Sequence, residues 1–118
     1  MLSTWKVIYF TTSTGENPVR NFIDNLNPKQ QAKILRIFMY IQEYGLQSII
    51  PHVKKISGTP LWEIRILGKD NIRVLYVIHI QQEVLVLHGF IKKKQKTPKK
   101  EFGIALKRYE EWKMMIDK

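Results

Sequence analysis

The chain has no cysteine. Disulfide staples, thiolate zinc sites, iron–sulfur clusters and cysteine nucleophiles are therefore excluded. No apolar run approaches the ~20 residues that span a bilayer. The first residues, MLSTWKVIYF, lack a basic stretch followed by an apolar core and a small-residue cleavage site. The expected location is the cytoplasm, with no membrane partner. No repeat, low-complexity tract or linker breaks the 118 residues, so 1–118 is expected to be a single domain. A Gly-x-Ser-x-Gly elbow, a P-loop and a dinucleotide fingerprint are all absent. The three histidines, His52, His79 and His88, lack the i, i+4 spacing of a helical metal pair. No metal and no cofactor are expected.

Acids are scarce. Ten Asp and Glu stand against 20 Lys and Arg, a net charge of +10. So basic a chain attracts polyanions through its summed field. RNA, DNA, an acidic protein and an anionic surface all meet that description. The excess is uneven: residues 51–100 carry 11 basic residues and three acids.

Aromatic and β-branched residues at 5–10 (WKVIYF) read as a strand. Asn17-Pro18 and Asn27-Pro28 are helix starts, with Asn as cap and Pro in the first turn. Val19, Phe22, Ile23 and Leu26 form the apolar face of a short helix. Ile34, Leu35, Phe38 and Ile41 form that of a second, which Gly45 stops. Residues 61–67, 71–80 and 83–90 read as three strands joined by tight turns, an antiparallel meander. The first strand is expected to join that sheet. A final helix begins near Pro98 with Thr97 as cap. Its stripe of Phe102, Ala105, Leu106, Tyr109, Trp112 and Ile116 packs on the sheet or serves a partner. The expected class is α+β: a small antiparallel sheet, an N-terminal αα-hairpin and a C-terminal helix, in the order β-α-α-β-β-β-α.

Two features point to chemistry. The first is IKKKQKTPKK, with six lysines between 92 and 100, placed between a strand and a helix. It is either a solvated surface or a phosphate-facing loop. The second is Arg65, which alternation puts on one face with Glu63, and Arg73, inside an otherwise apolar strand. Buried charges are rarely unpaired. Both arginines must therefore meet a carboxylate such as Glu63, or open onto an anion for which a planar guanidinium fork is suited. His88, at the strand end before the lysine loop, is the best-placed histidine for acid–base work. His52, near Lys54 and Lys55, comes next. His79 alternates with isoleucines and reads as structural. Tyr76, three residues beyond Arg73, is a core residue or a substrate contact.

The stretches LWEIR, IRVLY and LVLHGFIKKKQKTPKKE, in that order, resemble the RelE/ParE toxin superfamily, in particular its phage-derived, HigB-like branch. The motifs cover residues 61–101, and the order of elements extends the likeness over most of the chain. The resemblance implies a RelE-like fold and a toxin that cleaves mRNA in the ribosomal A site. It also implies a cognate antitoxin, in this branch a helix-turn-helix DNA-binding protein of HigA type. Carried over by position, Arg65 and Arg73 bind phosphate or stabilise the transition state. Lys92, Lys93, Lys94 and Lys96 fall on the family's catalytic or RNA-binding loop. Lys54 and Lys55 fall where relatives are basic. The tyrosine that assists catalysis in some RelE proteins has no counterpart in the long final helix, so His88 or a loop lysine is left as acid or base. The resulting expectation is an endoribonuclease with Arg65, Arg73, His88, Lys92 and Lys93 as catalytic residues. Lys54, Lys55, Tyr76, Lys94, Lys96, Lys99 and Lys100 are then its RNA contacts. The alternatives are a non-enzymatic gyrase inhibitor of ParE type and a plain nucleic-acid-binding module.

Overall fold

The structure, a computed structural model, describes residues 4–66, 68–93 and 98–116. The elements run β1 (Lys6–Tyr9), α1 (Pro18–Asp24), α2 (Pro28–Tyr44), a 3-10 helix (Leu46–His52), β2 (Val53–Lys55), β3 (Trp62–Arg65), β4 (Ile72–Ile80), β5 (Glu83–Ile91) and α3 (Lys99–Ile116). Both N-terminal helices, α1 and α2, start where the sequence predicts. The Asn17 side chain accepts from the Arg20 N–H at 3.0 Å. Asn27 and Gln30 cap each other's backbone N–H reciprocally, at 2.8 and 3.0 Å. Thr97, the expected cap of α3, lies outside the described residues.

The five strands are ordered β1-β5-β4-β3-β2. The sheet is mixed and not purely antiparallel as expected, because β1 pairs parallel with β5 while the other pairs are antiparallel. A parallel pair needs a crossover of a dozen residues or more. Here the αα-hairpin, the 3-10 helix and strands β2, β3 and β4 lie between the two strands. Side-chain alternation is the same for either strand direction, so the pattern in residues 5–10 could not reveal it. A further strand, β2, extends the sheet beyond β3. Its three residues are too few to show a period.

Both faces of the sheet are covered. α1 and α2 bring Val19, Ile23, Ile34, Phe38 and Ile41 onto Ile64, Val74, Tyr76, Val84 and Val86. α3 packs Phe102, Ala105, Leu106, Tyr109 and Trp112 against Phe10, Leu61, Leu75, Val77, Leu85 and Leu87. The stripe of α3 therefore packs on its own sheet, except at Ile116, which is exposed at the end of the helix. α1 approaches β5 closely at Gly89, where an added Cβ would stand 2.5 Å from the Phe22 ring.

One irregularity in β5 decides which side chains share a face. Leu75 opposes His88, but Tyr76 opposes Val86, so Leu87 is an extra residue. Such a bulge shifts the alternation by one. Without it His88 would lie with Val84 and Val86 under α1 and α2. With it, His88 and Phe90 turn to the α3 face.

Candidate functional site

The site is built from two neighbouring rows that cross the sheet on its α3 face. Register pairs Lys54 with Glu63, Glu63 with Leu75, and Leu75 with His88. The next row pairs Arg65 with Arg73 and Arg73 with Phe90. Residues opposed across paired strands project from the same side of the sheet. Lys92 continues the alternation from Phe90, and its N–H donates to the Asn71 carbonyl at 2.9 Å. Lys54, Arg65, Arg73 and Lys92 thus share one face. They come from β2, β3, β4 and the exit of β5.

Glu63 anchors this basic strip. It is the one buried charged residue among those described. Its Oε1 lies 3.8 Å from the Nε of Arg65 and 3.8 Å from the Nε of Arg73. Both readings of the arginines therefore hold together: they pair with a carboxylate, and they carry more positive charge than it cancels. Their settings differ. The Arg73 side chain is 15% exposed and that of Arg65 51%. Arg73 also donates from Nη1 to the Ile72 carbonyl at 3.1 Å, so it is held more tightly than Arg65.

His88 is fastened to α3. Its Nε2 lies 2.7 Å from Oε1 of Glu101, and its Nδ1 lies 3.1 Å from Nη1 of Arg108. Arg108 also donates to the carbonyl of Leu87, the bulged residue, at 2.9 Å. The Phe90 ring stacks on the imidazole with centroids 5.7 Å apart. Desolvation pushes the His88 pKa below its ordinary value and the charge of Arg108 adds to this, against the opposing pull of Glu101. Burial likewise lowers that of Arg108, opposed by Glu111 and Glu101.

The sequence singled out His88 but neither of its partners. Glu101, Ala105, Arg108 and Trp112 follow the spacing of one helix face, i, i+4, i+7 and i+11. A charged pair on the flank of an otherwise apolar stripe was the available signal.

The remaining predicted residues divide. Lys93, Lys99 and Lys100 are exposed beside the strip, at the exit of β5 and on the first turn of α3. Lys94 and Lys96 lie outside the described residues. Lys55 opposes Trp62, on the other face from Lys54. Its Nζ stands 5.3 Å from the Trp62 ring centroid and donates to the Thr59 carbonyl at 2.6 Å. Tyr76 also belongs to that other face, fully buried in the core under α1 and α2. Burial raises its phenol well above the usual range, and its hydroxyl has no hydrogen-bond partner among the described residues. Tyr76 and Lys55 do not join the basic strip. His79 packs edge-on against Tyr109, and His52 ends the 3-10 helix.

Among the described residues, no group of three or more His, Asp or Glu side chains is placed to hold a metal ion. No helix among the described residues is long and apolar enough to cross a membrane. Residues 21–110 match the model of a family described as phage derived protein Gp49-like (DUF891). No curated protein matches the sequence.

Proposed function

We propose a function from one premise: the chain belongs to the phage-derived Gp49-like family, a RelE/ParE-like toxin family associated with toxin–antitoxin systems. In our reading it is a type II toxin of the HigB-like branch, a ribosome-dependent, metal-independent mRNA endoribonuclease. A cognate antitoxin, a helix-turn-helix protein of HigA type, neutralises it. The observation that carries the reading is the opposition of Arg65 and Arg73 across β3 and β4. They flank one buried carboxylate, with Lys54 and Lys92 on the same face.

RNA supplies its own nucleophile. A base removes the proton of a ribose 2′-OH, and the oxygen attacks the adjacent phosphorus. The P–O5′ bond breaks, and the leaving oxygen takes a proton from a lysine of the β5 exit, Lys92 or Lys93. The products are a 2′,3′-cyclic phosphate and a 5′-hydroxyl. Charge gathers on the phosphorane oxygens between these states, and preorganised cations there lower the barrier most. Arg65 and Arg73 fill that role in our reading. Glu63 holds the two guanidinium groups in place before substrate arrives, so no reorganisation accompanies the reaction. Lys54, Lys99 and Lys100 follow the backbone phosphates as positioning contacts. In this reading the ribosome supplies the orientation of mRNA that a small basic face does not.

The test is induction of the protein alone in cells, followed by mapping of mRNA ends. The reading predicts growth arrest, new ends within translated mRNAs, and recovery on co-expression of the antitoxin. Intact mRNA together with inhibited gyrase supercoiling would favour the gyrase-inhibitor alternative.

A further inference from the structure

We propose that Glu101, on the first turn of α3, is the general base of this site, with His88 and Arg108 as its positioning residues. The inference rests on the ribonuclease reading and supplies the base that reading lacks. A guanidinium only donates hydrogen bonds, so the 3.1 Å contact with Arg108 makes His88 Nδ1 the acceptor. The imidazole proton then sits on Nε2 and is donated to Glu101 Oε1 at 2.7 Å. Neither ring nitrogen retains a free lone pair. His88 takes up a proton only by giving up the Arg108 bond, which its depressed pKa also opposes.

Glu101 is in the opposite position. One of its oxygens is held by His88, and its second can accept a proton from a ligand. Its side chain is 26% exposed, against 12% for His88. It stands at the His88 end of the Lys54–Glu63–Leu75–His88 row, and the neighbouring row carries Phe90, Arg73 and Arg65. The stacked Phe90 ring and the Arg108 bond to the Leu87 carbonyl fix the imidazole, and the imidazole fixes the carboxylate. Arg108 is the charged group in contact with this pair, and Glu111 acts on it in turn. Lys92 follows β5, Arg73 lies one strand away on β4, Glu63 and Arg65 lie on β3 beyond it, and Lys54 lies farthest, on β2. In the reaction, the proton of the 2′-OH passes to Glu101 as the O2′–P bond forms and the P–O5′ bond breaks. The 5′-oxygen is protonated by the Lys92 or Lys93 ammonium.

Glu101→Gln tests this, because the amide keeps the length of the side chain and an oxygen to accept from His88. Single-turnover cleavage on saturating programmed ribosomes should fall by roughly 10²–10⁴, with ribosome binding unchanged. Glu101→Asp keeps a carboxylate and should retain more activity than Glu101→Gln. Nitrogen-15 spectra of wild-type imidazoles should show His88 protonated on Nε2. Cleavage by Glu101→Gln within about threefold of wild type overturns the assignment. So do equal losses from both substitutions with unchanged melting, or an Nδ1-protonated His88. An Nδ1-protonated His88 overturns the assignment even if Glu101→Gln does not fold, and Glu101→Asp then carries the rate comparison. A wild-type protein that leaves ribosome-bound mRNA intact overturns the ribonuclease reading, and this assignment with it. An active wild type with an active Glu101→Gln overturns the assignment alone.

Discussion

Arg65 and Arg73 face each other across two strands, yet removing them should produce different kinds of damage. Each Nε lies 3.8 Å from the same Glu63 oxygen. At that separation, and an effective dielectric near 20, the Coulomb attraction is about 4 kcal/mol before desolvation is counted. Arg65 realises little of it. Its side chain is half exposed, and solvent screening reduces such a pair to about 1 kcal/mol or less. Arg65→Ala should therefore lower the melting temperature by no more than roughly 3–5 °C. Arg73 and Glu63 are both largely removed from water. Breaking a buried pair costs about 3–5 kcal/mol when it strands the partner. Arg65 stays beside Glu63 and relieves part of that, so about 2–3 kcal/mol is expected for Arg73→Ala.

For catalysis the two losses should be alike, since each removes one donor from the developing phosphorane charge. That is worth roughly 10²–10³ in rate. The assay is single-turnover cleavage of mRNA on saturating programmed ribosomes, at a temperature well below both melting transitions, with thermal unfolding recorded on the same preparations. An Arg65→Ala protein that melts far lower than wild type would show that this arginine is structural. A stable Arg65→Ala protein that cleaves at the wild-type rate would refute its role in charge stabilisation.

Four further outcomes follow from the same geometry. Gly89→Ala drives a methyl group into the Phe22 ring and should destabilise by about 1–3 kcal/mol, read by denaturant unfolding. Tyr76→Phe removes a buried hydroxyl that has no partner among the described residues. It should leave stability unchanged or slightly raised and cleavage unaffected, whereas a loss of cleavage would return Tyr76 to the site. Because the folded pKa of His88 is depressed, the unfolded chain binds this proton first as pH falls. Its contribution to stability is present above about pH 6.5 and is lost as pH falls from there, so melting between pH 7.5 and 5.5 should fall more for wild type than for His88→Asn. Neutralising Lys99 or Lys100 should weaken ribosome or RNA binding modestly and reduce the log–log salt slope by about 0.7–0.9 per lost phosphate contact, with the chemical step unchanged.

Much of this arrangement is legible in the sequence, and the missing parts have physical causes. The asparagine–proline pairs mark the starts of α1 and α2 because a cap and a preset φ act locally. The alternation in LWEIR puts Glu63 and Arg65 on one face, and that of IRVLY gives Arg73 its place. What local pattern does not carry is pairing. The parallel match of β1 with β5 joins strands separated by most of the chain. The bulge at Leu87 adds one residue and turns His88 toward α3; Gly89, two positions on, is the only local hint of it and does not give its place. Tyr76 follows Arg73 by three positions, an odd interval that reverses the face in a strand. The pattern therefore separated the two, even though they are near in sequence. Glu101 and Arg108 were hidden for a different reason. Their partner is thirteen or more residues away on another element, and only the packed structure shows that the flank of α3 meets the end of β5.

The central claim is that this basic face breaks RNA and does not merely hold it. Its most direct test is incubation of purified wild-type protein with end-labelled mRNA, free and bound to programmed ribosomes, with the chemistry of the new ends determined. The account predicts cuts only in ribosome-bound mRNA, leaving 2′,3′-cyclic phosphate and 5′-hydroxyl ends, and no cuts by Arg65→Ala. Intact mRNA on ribosomes that demonstrably carry the protein would contradict it.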